Sequence, residues 1–160
     1  VEKIKTKEME LSLAIYFHYE RNLIIPNISW GAGIDHECDL LVITPAGFSS
    51  EVEIKVTASD LKADKKKRHQ HHSEKLKFLY FAIPHYLLKH YGHIPAHAGI
   101  LVRKENGVIS EARKPALLGK YKFSEHDIWQ MARACNLRLW SKKGLQFGMN
   151  KHILENRRSH

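Results

Sequence analysis

The sequence predicts an α/β domain built on a mixed central sheet flanked by helices. Short runs rich in Val, Ile and Leu at residues 39–43, 51–56, 78–83 and 98–102 read as strands, helix-forming stretches lie before and between them, and Gly, Pro and Asn punctuate the junctions. At 160 residues the chain suits one compact domain over 1–160, with a core at about 4–102 and a C-terminal helix and strand elaboration over 103–160.

Taken in order, residues 4–22 hold good helix formers, with Leu11, Ala14, Ile15 and His18 at helical spacing, so a first helix is expected there. Pro26 ends it or follows soon after, and residues 27–35, with Gly31 and Gly33, read as an extended loop carrying Trp30. The runs 39–43 and 51–56 flank a turn containing Pro45 and Gly47 and should pair as an antiparallel hairpin. Alternation in the second run sets Glu51, Glu53 and Lys55 on one face and Val52, Ile54 and Val56 on the core face. Thr57 or Ser59 caps a second, mostly polar helix that runs to about His72. The strand at 78–83 leads into a short helix opened by Pro84 and stopped by Gly92, and a further strand covers 98–102. A Glu105-Asn106-Gly107 turn leads to Val108-Ile109, Ser124 with Asp127 caps a helix reaching about Cys135, and residues 137–140 read as a last strand before a polar, basic tail.

Hydrophobic residues make up 43% and charged residues 27%, with no apolar run long enough to span a bilayer, so no membrane association is expected. The opening Val1-Glu2-Lys3-Ile4-Lys5 lacks the apolar stretch of a secretory signal, which makes a cytoplasmic location the default. Cys38 and Cys135 stand far apart, without the paired spacing of a zinc site or a disulfide, and read as ordinary buried thiols. A formal net charge of +9 favours a polyanionic partner, nucleic acid foremost, although a basic surface also serves solubility.

A Glu-x-Lys pair inside a Val and Ile strand demands a reason, because burying a carboxylate and an ammonium costs several kcal/mol, in order of magnitude, unless they are satisfied. A hairpin partner that begins with Asp39 brings a second carboxylate beside Glu53, giving two hard oxygen ligands suited to Mg²⁺ or Mn²⁺. A surface cluster of ion pairs is the plain alternative.

Asp39, a hairpin turn and then Glu53-Ile54-Lys55 match the pattern Asp…(Asp/Glu)-x-Lys, and on these residues the chain resembles the PD-(D/E)xK nuclease superfamily, whose core is a helix, a three-stranded meander, a helix and a strand. More narrowly, Pro26-Asn27-Ile28-Ser29-Trp30-Gly31, His36-Glu37-Cys38-Asp39 and Glu51-Val52-Glu53-Ile54-Lys55-Val56 are similar to bacterial and phage MmcB-like proteins, regarded as DNA-repair nucleases. The resemblance implies a restriction-endonuclease-like fold and a Mg²⁺-dependent endonuclease acting on DNA, in repair or in a phage or mobile element. It implies that Asp39, Glu53 and the Ile54 carbonyl hold the metal and that Lys55 sits by the attacking water. Lys55, flanked by two carboxylates that favour its charged form, is expected to orient that water and stabilise the transition state rather than act as a free base. Cys38 stands where the motif has its proline.

Superfamily members also often carry an acidic residue on the first helix. Glu8, Glu10 and Glu20 compete for this place, and Glu10 is selected as a catalytic candidate because it shares a side with Leu13, Ala14 and Phe17. Glu37 shares a strand face with Asp39 if pairing begins early, which makes it a metal ligand, a residue that orients one, or an ordinary strand-edge charge; Glu51 has the same ambiguity. Lys65, Lys66, Lys67, Arg68 and His69 follow the Glu-x-Lys strand and are candidates to grip phosphates, against a merely solvated helix face. Trp30 between glycines is a candidate platform for an unpaired base, with packing under its loop as the alternative. His69, His71 and His72 lack a matched ligand group for zinc. Rival readings are a non-cleaving nucleic-acid-binding module on the same fold and a protein-docking surface. DNA or RNA, and duplex, branched or single-stranded substrate, stay open, and a homodimer is compatible although no self-complementary patch is visible.

Overall fold

A computed structural model describes residues 4–28, 33–34, 36–64 and 73–146. Its order is α1 (Thr6–Tyr16), β1 (Leu23–Ile28), β2 (Cys38–Ile43), β3 (Ser49–Ile54), α2 (Ala58–Asp64), β4 (Phe78–Pro84), a 3-10 helix (His85–His93), β5 (Gly99–Arg103), β6 (Ile109–Arg113) and α3 (Glu125–Gln146). The six strands lie in one sheet in chain order. β1–β2, β2–β3 and β5–β6 pair antiparallel while β3–β4 and β4–β5 pair parallel, so the sheet is mixed and flanked by helices, as expected.

On one face α1 sets Met9 and Leu13 against Leu40, Val42, Val52, Ile54, Ala82 and Leu101. The buried stripe of α1 is therefore not the expected one, since Leu11 and Ile15 are 64% and 58% exposed. The helix also stops earlier than expected. Asn22 Nδ2 donates to the Phe17 carbonyl at 2.7 Å and His18 takes the left-handed φ of 55°, which turns the chain toward β1. On the other face α3 brings Met131 over Ile25, Ile28, Cys38, Leu41 and Ile43, and α2 with the 3-10 helix brings Leu61 and Leu87 over Leu79, Phe81, Ile83 and Ile100.

Two expectations are corrected. Pro26 does not end α1, and residues 27–28 are not loop: all three lie in β1, with Pro26 opposite Leu40 in a strand at the edge of the sheet, where a residue without an N–H is tolerated. Residues 137–140 are not a strand but the continuation of α3 beyond Cys135, with Trp140 Nε1 donating to Asn136 Oδ1 at 3.0 Å across one helical turn. Their alternation of Leu and Arg imitates a strand, yet Leu137, Leu139 and Trp140 are all largely exposed. The short helix expected after Pro84 is present as a 3-10 helix, Thr57 caps α2 by accepting from the Asp60 N–H at 3.2 Å, and Ser124 and Asp127 cap α3 reciprocally. None of the described helices is long and apolar enough to cross a membrane.

Tyr80, partly buried on the α1 face, meets the ring of Phe17 edge-on at 5.8 Å. Burial first, then the charges of Glu111 and Tyr16, push its phenol up to about 12 from an ordinary 10.0. A raised folded value means that the stability this group contributes is present below pH 10 and is lost as pH rises toward about 12, because the unfolded chain ionises first. In urea titrations across that window Tyr80→Phe should fall less steeply than the parent protein; equal slopes would refute the assignment.

Candidate functional site

β3 runs through the middle of the sheet, and its period of two sends Val52 and Ile54 toward α1 while Glu51, Glu53 and Lys55 leave on the opposite face. Glu53 is 1% and Lys55 4% exposed, and Lys55 Nζ donates to Glu53 Oε2 at 2.7 Å. Phe81, fully buried, stands beside Glu53 in the parallel β3–β4 register. The ladder continues one residue past β3, where the Lys55 N–H donates to the Ala82 carbonyl at 3.0 Å, before Thr57 turns the chain into α2. The charged pair thus lies at the carboxyl end of a strand in the parallel part of the sheet, a common location for binding sites in open α/β sheets.

Asp39 reaches this end from β2. The β1–β2 ladder passes from Pro26–Leu40 to Ile28–Cys38, and the intervening Asn27 has a φ of 50°, so the strand pair is twisted locally. Consistent with that twist, Ile25 and Ile28, and Leu41 and Cys38, pack in one cluster although each pair is three residues apart. The Asp39 carboxylate crosses to β3, where Oδ2 accepts the Ile54 N–H at 2.8 Å and lies 4.0 Å from Lys55 Nζ. Its side chain is 37% exposed, so the trio combines one carboxylate open to solvent with a buried carboxylate and ammonium.

A second polar group adjoins it. His36 Nε2 lies 2.7 Å from Glu51 Oε1, with side chains 6% and 0% exposed. Cys38 is fully buried beside them, and burial first, then the charges of Glu51 and Glu53, push its thiol far up, so that it stays protonated. Cys38 is a free, buried thiol, as expected, whereas His36 has no role that the sequence reading assigned to it. The available signal was a His-x-Cys step leading into a strand whose partner carries Glu51.

The other candidates are placed as follows. Glu10 is half-buried on α1 and lines a groove with Ile24, Pro26 and Leu40, on the sheet face opposite the one from which Glu53 and Lys55 project. Of its competitors, Glu8 accepts the Lys5 N–H at the start of α1 at 2.7 Å, and Glu20 meets exposed His18. Glu37 is exposed just before β2. Trp30 and the basic stretch Lys65, Lys66, Lys67, Arg68 and His69 lie outside the described residues. Among the described residues a further basic and aromatic patch sits near the start of β3, where Lys77 and Lys122 lie over the Phe48 ring at 4.1 and 4.8 Å.

No family model matches the chain, and no curated protein matches it. Among solved structures it is similar to the SPO1766 protein of unknown function from Silicibacter pomeroyi, with a TM-score of 0.67, 15% identity, and coverage of 91% of this chain and 96% of that one. At that identity the likeness establishes a shared fold, here a mixed sheet flanked by helices.

Proposed function

We propose that the protein is a metal-dependent nuclease of the PD-(D/E)xK class that hydrolyses phosphodiester bonds in DNA. The observation that carries this reading is the convergence of Asp39, Glu53 and Lys55 from two adjacent strands at one sheet end. The order helix, antiparallel meander β1–β2–β3, helix α2 and strand β4 supports it, including a strand that the sequence did not reveal.

The donor set fits a hard divalent ion. Asp39 and Glu53 offer carboxylate oxygens and Ile54 its backbone carbonyl, the ligand chemistry of Mg²⁺ or Mn²⁺. Bound there, the ion supplies a water made more acidic and a positive charge that offsets the phosphate. The chain's own residues position the reactants. The Ile54 N–H fixes the Asp39 carboxylate, Glu53 anchors the Lys55 ammonium, and the ammonium orients a water and stabilises negative charge as it grows on the phosphate. The net charge of +9 attracts the polyanion.

The test is incubation of the purified protein with single-stranded, duplex and branched DNA plus Mg²⁺ or Mn²⁺, alongside Asp39→Ala. Metal-dependent cutting of at least one substrate is expected, with Asp39→Ala lowering the rate on the order of 10²–10³-fold. Salt-sensitive binding without cutting on every substrate would instead point to a non-cleaving module, and unchanged cutting by Asp39→Ala would displace the site.

A further inference from the structure

We propose that His36, Cys38 and Glu51 form a second metal centre, separate from the Asp39–Glu53 site, that takes a borderline-soft divalent cation of the zinc class. Their ligand atoms, an imidazole nitrogen, a sulfur and a carboxylate oxygen, all lie within 4.8 Å of one another. In a tetrahedral zinc site with bonds of about 2.0–2.3 Å the donor atoms stand about 3.2–3.8 Å apart. The contact of 2.7 Å between His36 Nε2 and Glu51 Oε1 then has to open by well under 1.5 Å, in rough terms, to admit the ion.

The chemistry of the set selects the ion. Mg²⁺ prefers oxygen donors and keeps its waters, whereas Zn²⁺ accepts sulfur, nitrogen and oxygen together. Position favours it as well. Glu51 is held within the β2–β3 ladder opposite Leu41, Cys38 is held in β2 opposite Ile28, and both are fully buried, while the His36 side chain is 6% exposed. Two strands and the segment before β2 therefore present the donors from fixed backbone, with little side-chain freedom left to lose.

His36 and Glu51 already share a hydrogen where the ion would sit, and Cys38 carries its thiol proton beside them. A dication takes the place of both: the coordinating thiol is deprotonated outright and its proton leaves to solvent, while the imidazole binds through Nε2 with its ring proton on Nδ1. Three protein donors leave a fourth position for water. The centre ties residue 36 to β3 two residues from Glu53, and it stands or falls independently of the nuclease reading.

The test uses the full chain, reduced and stripped of metal, titrated with Co²⁺. A thiolate-to-cobalt charge-transfer band with the visible bands of four-coordinate cobalt is expected, and Zn²⁺ but not Mg²⁺ should remove it. The band should vanish in Cys38→Ser and in the gentler Cys38→Ala, persist in Cys135→Ser and Asp39→Ala, and need more Co²⁺ in His36→Ala by more than the roughly 10–100-fold typical of losing an outer partner of a ligand. Circular dichroism establishes that each protein is folded. Absence of the band in the folded parent protein, or its loss in Cys135→Ser rather than in the Cys38 variants, overturns the centre. Persistence of the band in Asp39→Ala alongside lost cleavage separates the two sites.

Discussion

Lys55→Met is expected to destabilise the protein by about 3–5 kcal/mol, because it leaves the Glu53 carboxylate buried without its ammonium. The cost follows from geometry. Nζ sits 2.7 Å from Glu53 Oε2, neither residue is more than 4% exposed, and the nearer Asp39 oxygen, at 4.0 Å, adds a second negative charge. The double substitution Glu53→Leu with Lys55→Met should regain most of the loss, since an apolar pair of similar volume needs no solvation. Urea unfolding of the parent, the single variant and the double variant measures both. A single-variant cost below about 1 kcal/mol would place the pair among solvated surface bridges and remove the reason for regarding it as functional.

Phe81→Ala should cost a similar amount, about 3–5 kcal/mol, through lost burial and the cavity left behind. Phe81 is fully buried in β4, between β3 and β5, and packs in the cluster of Leu61, Leu79, Ile83 and Ile100. It also neighbours Glu53 in the register. Truncation therefore opens room for water at the charged pair, where a higher local dielectric weakens both attraction and desolvation. Lys55→Met should then cost less in the Phe81→Ala background than alone, with a coupling of about 0.5–3 kcal/mol in a double-mutant cycle. Strict additivity would show that Phe81 supports the fold without shaping the surroundings of Glu53.

The hairpin and its trio were legible in the sequence because strand alternation is a local signal. Glu53 and Lys55 stand out among Val52, Ile54 and Val56, and Asp39 opens the run that pairs with them. What failed depended on context. Pro26 reads as a breaker in any local window, and only its place on an edge strand, known once β2 is beside it, makes it acceptable. Residues 137–140 alternate like a strand but belong to a helix whose exposed side carries Leu139 and Trp140. The buried stripe of α1 could not be chosen from spacing alone, because Leu11 and Ile15 compete with Met9 and Leu13 for the sheet. His36 was not singled out because its partner Glu51 is fifteen residues away, and the His-x-Cys step before β2 does not by itself announce the contact.

The two borders of the sheet carry a consequence for how the molecule behaves in company. Unpaired strand borders invite another chain to add its own strand, which is how ordered fibrils grow. On the β1 side Pro26 offers no donor and Asn27 turns the backbone at a φ of 50°, while on the β6 side the charged Glu111 and Arg113 accompany a register shift between Ile100 and Leu101 of its neighbour. Each border thus spoils the template that an incoming strand would copy. If two copies of this chain associate, helices and loops are better placed than the sheet to make the join.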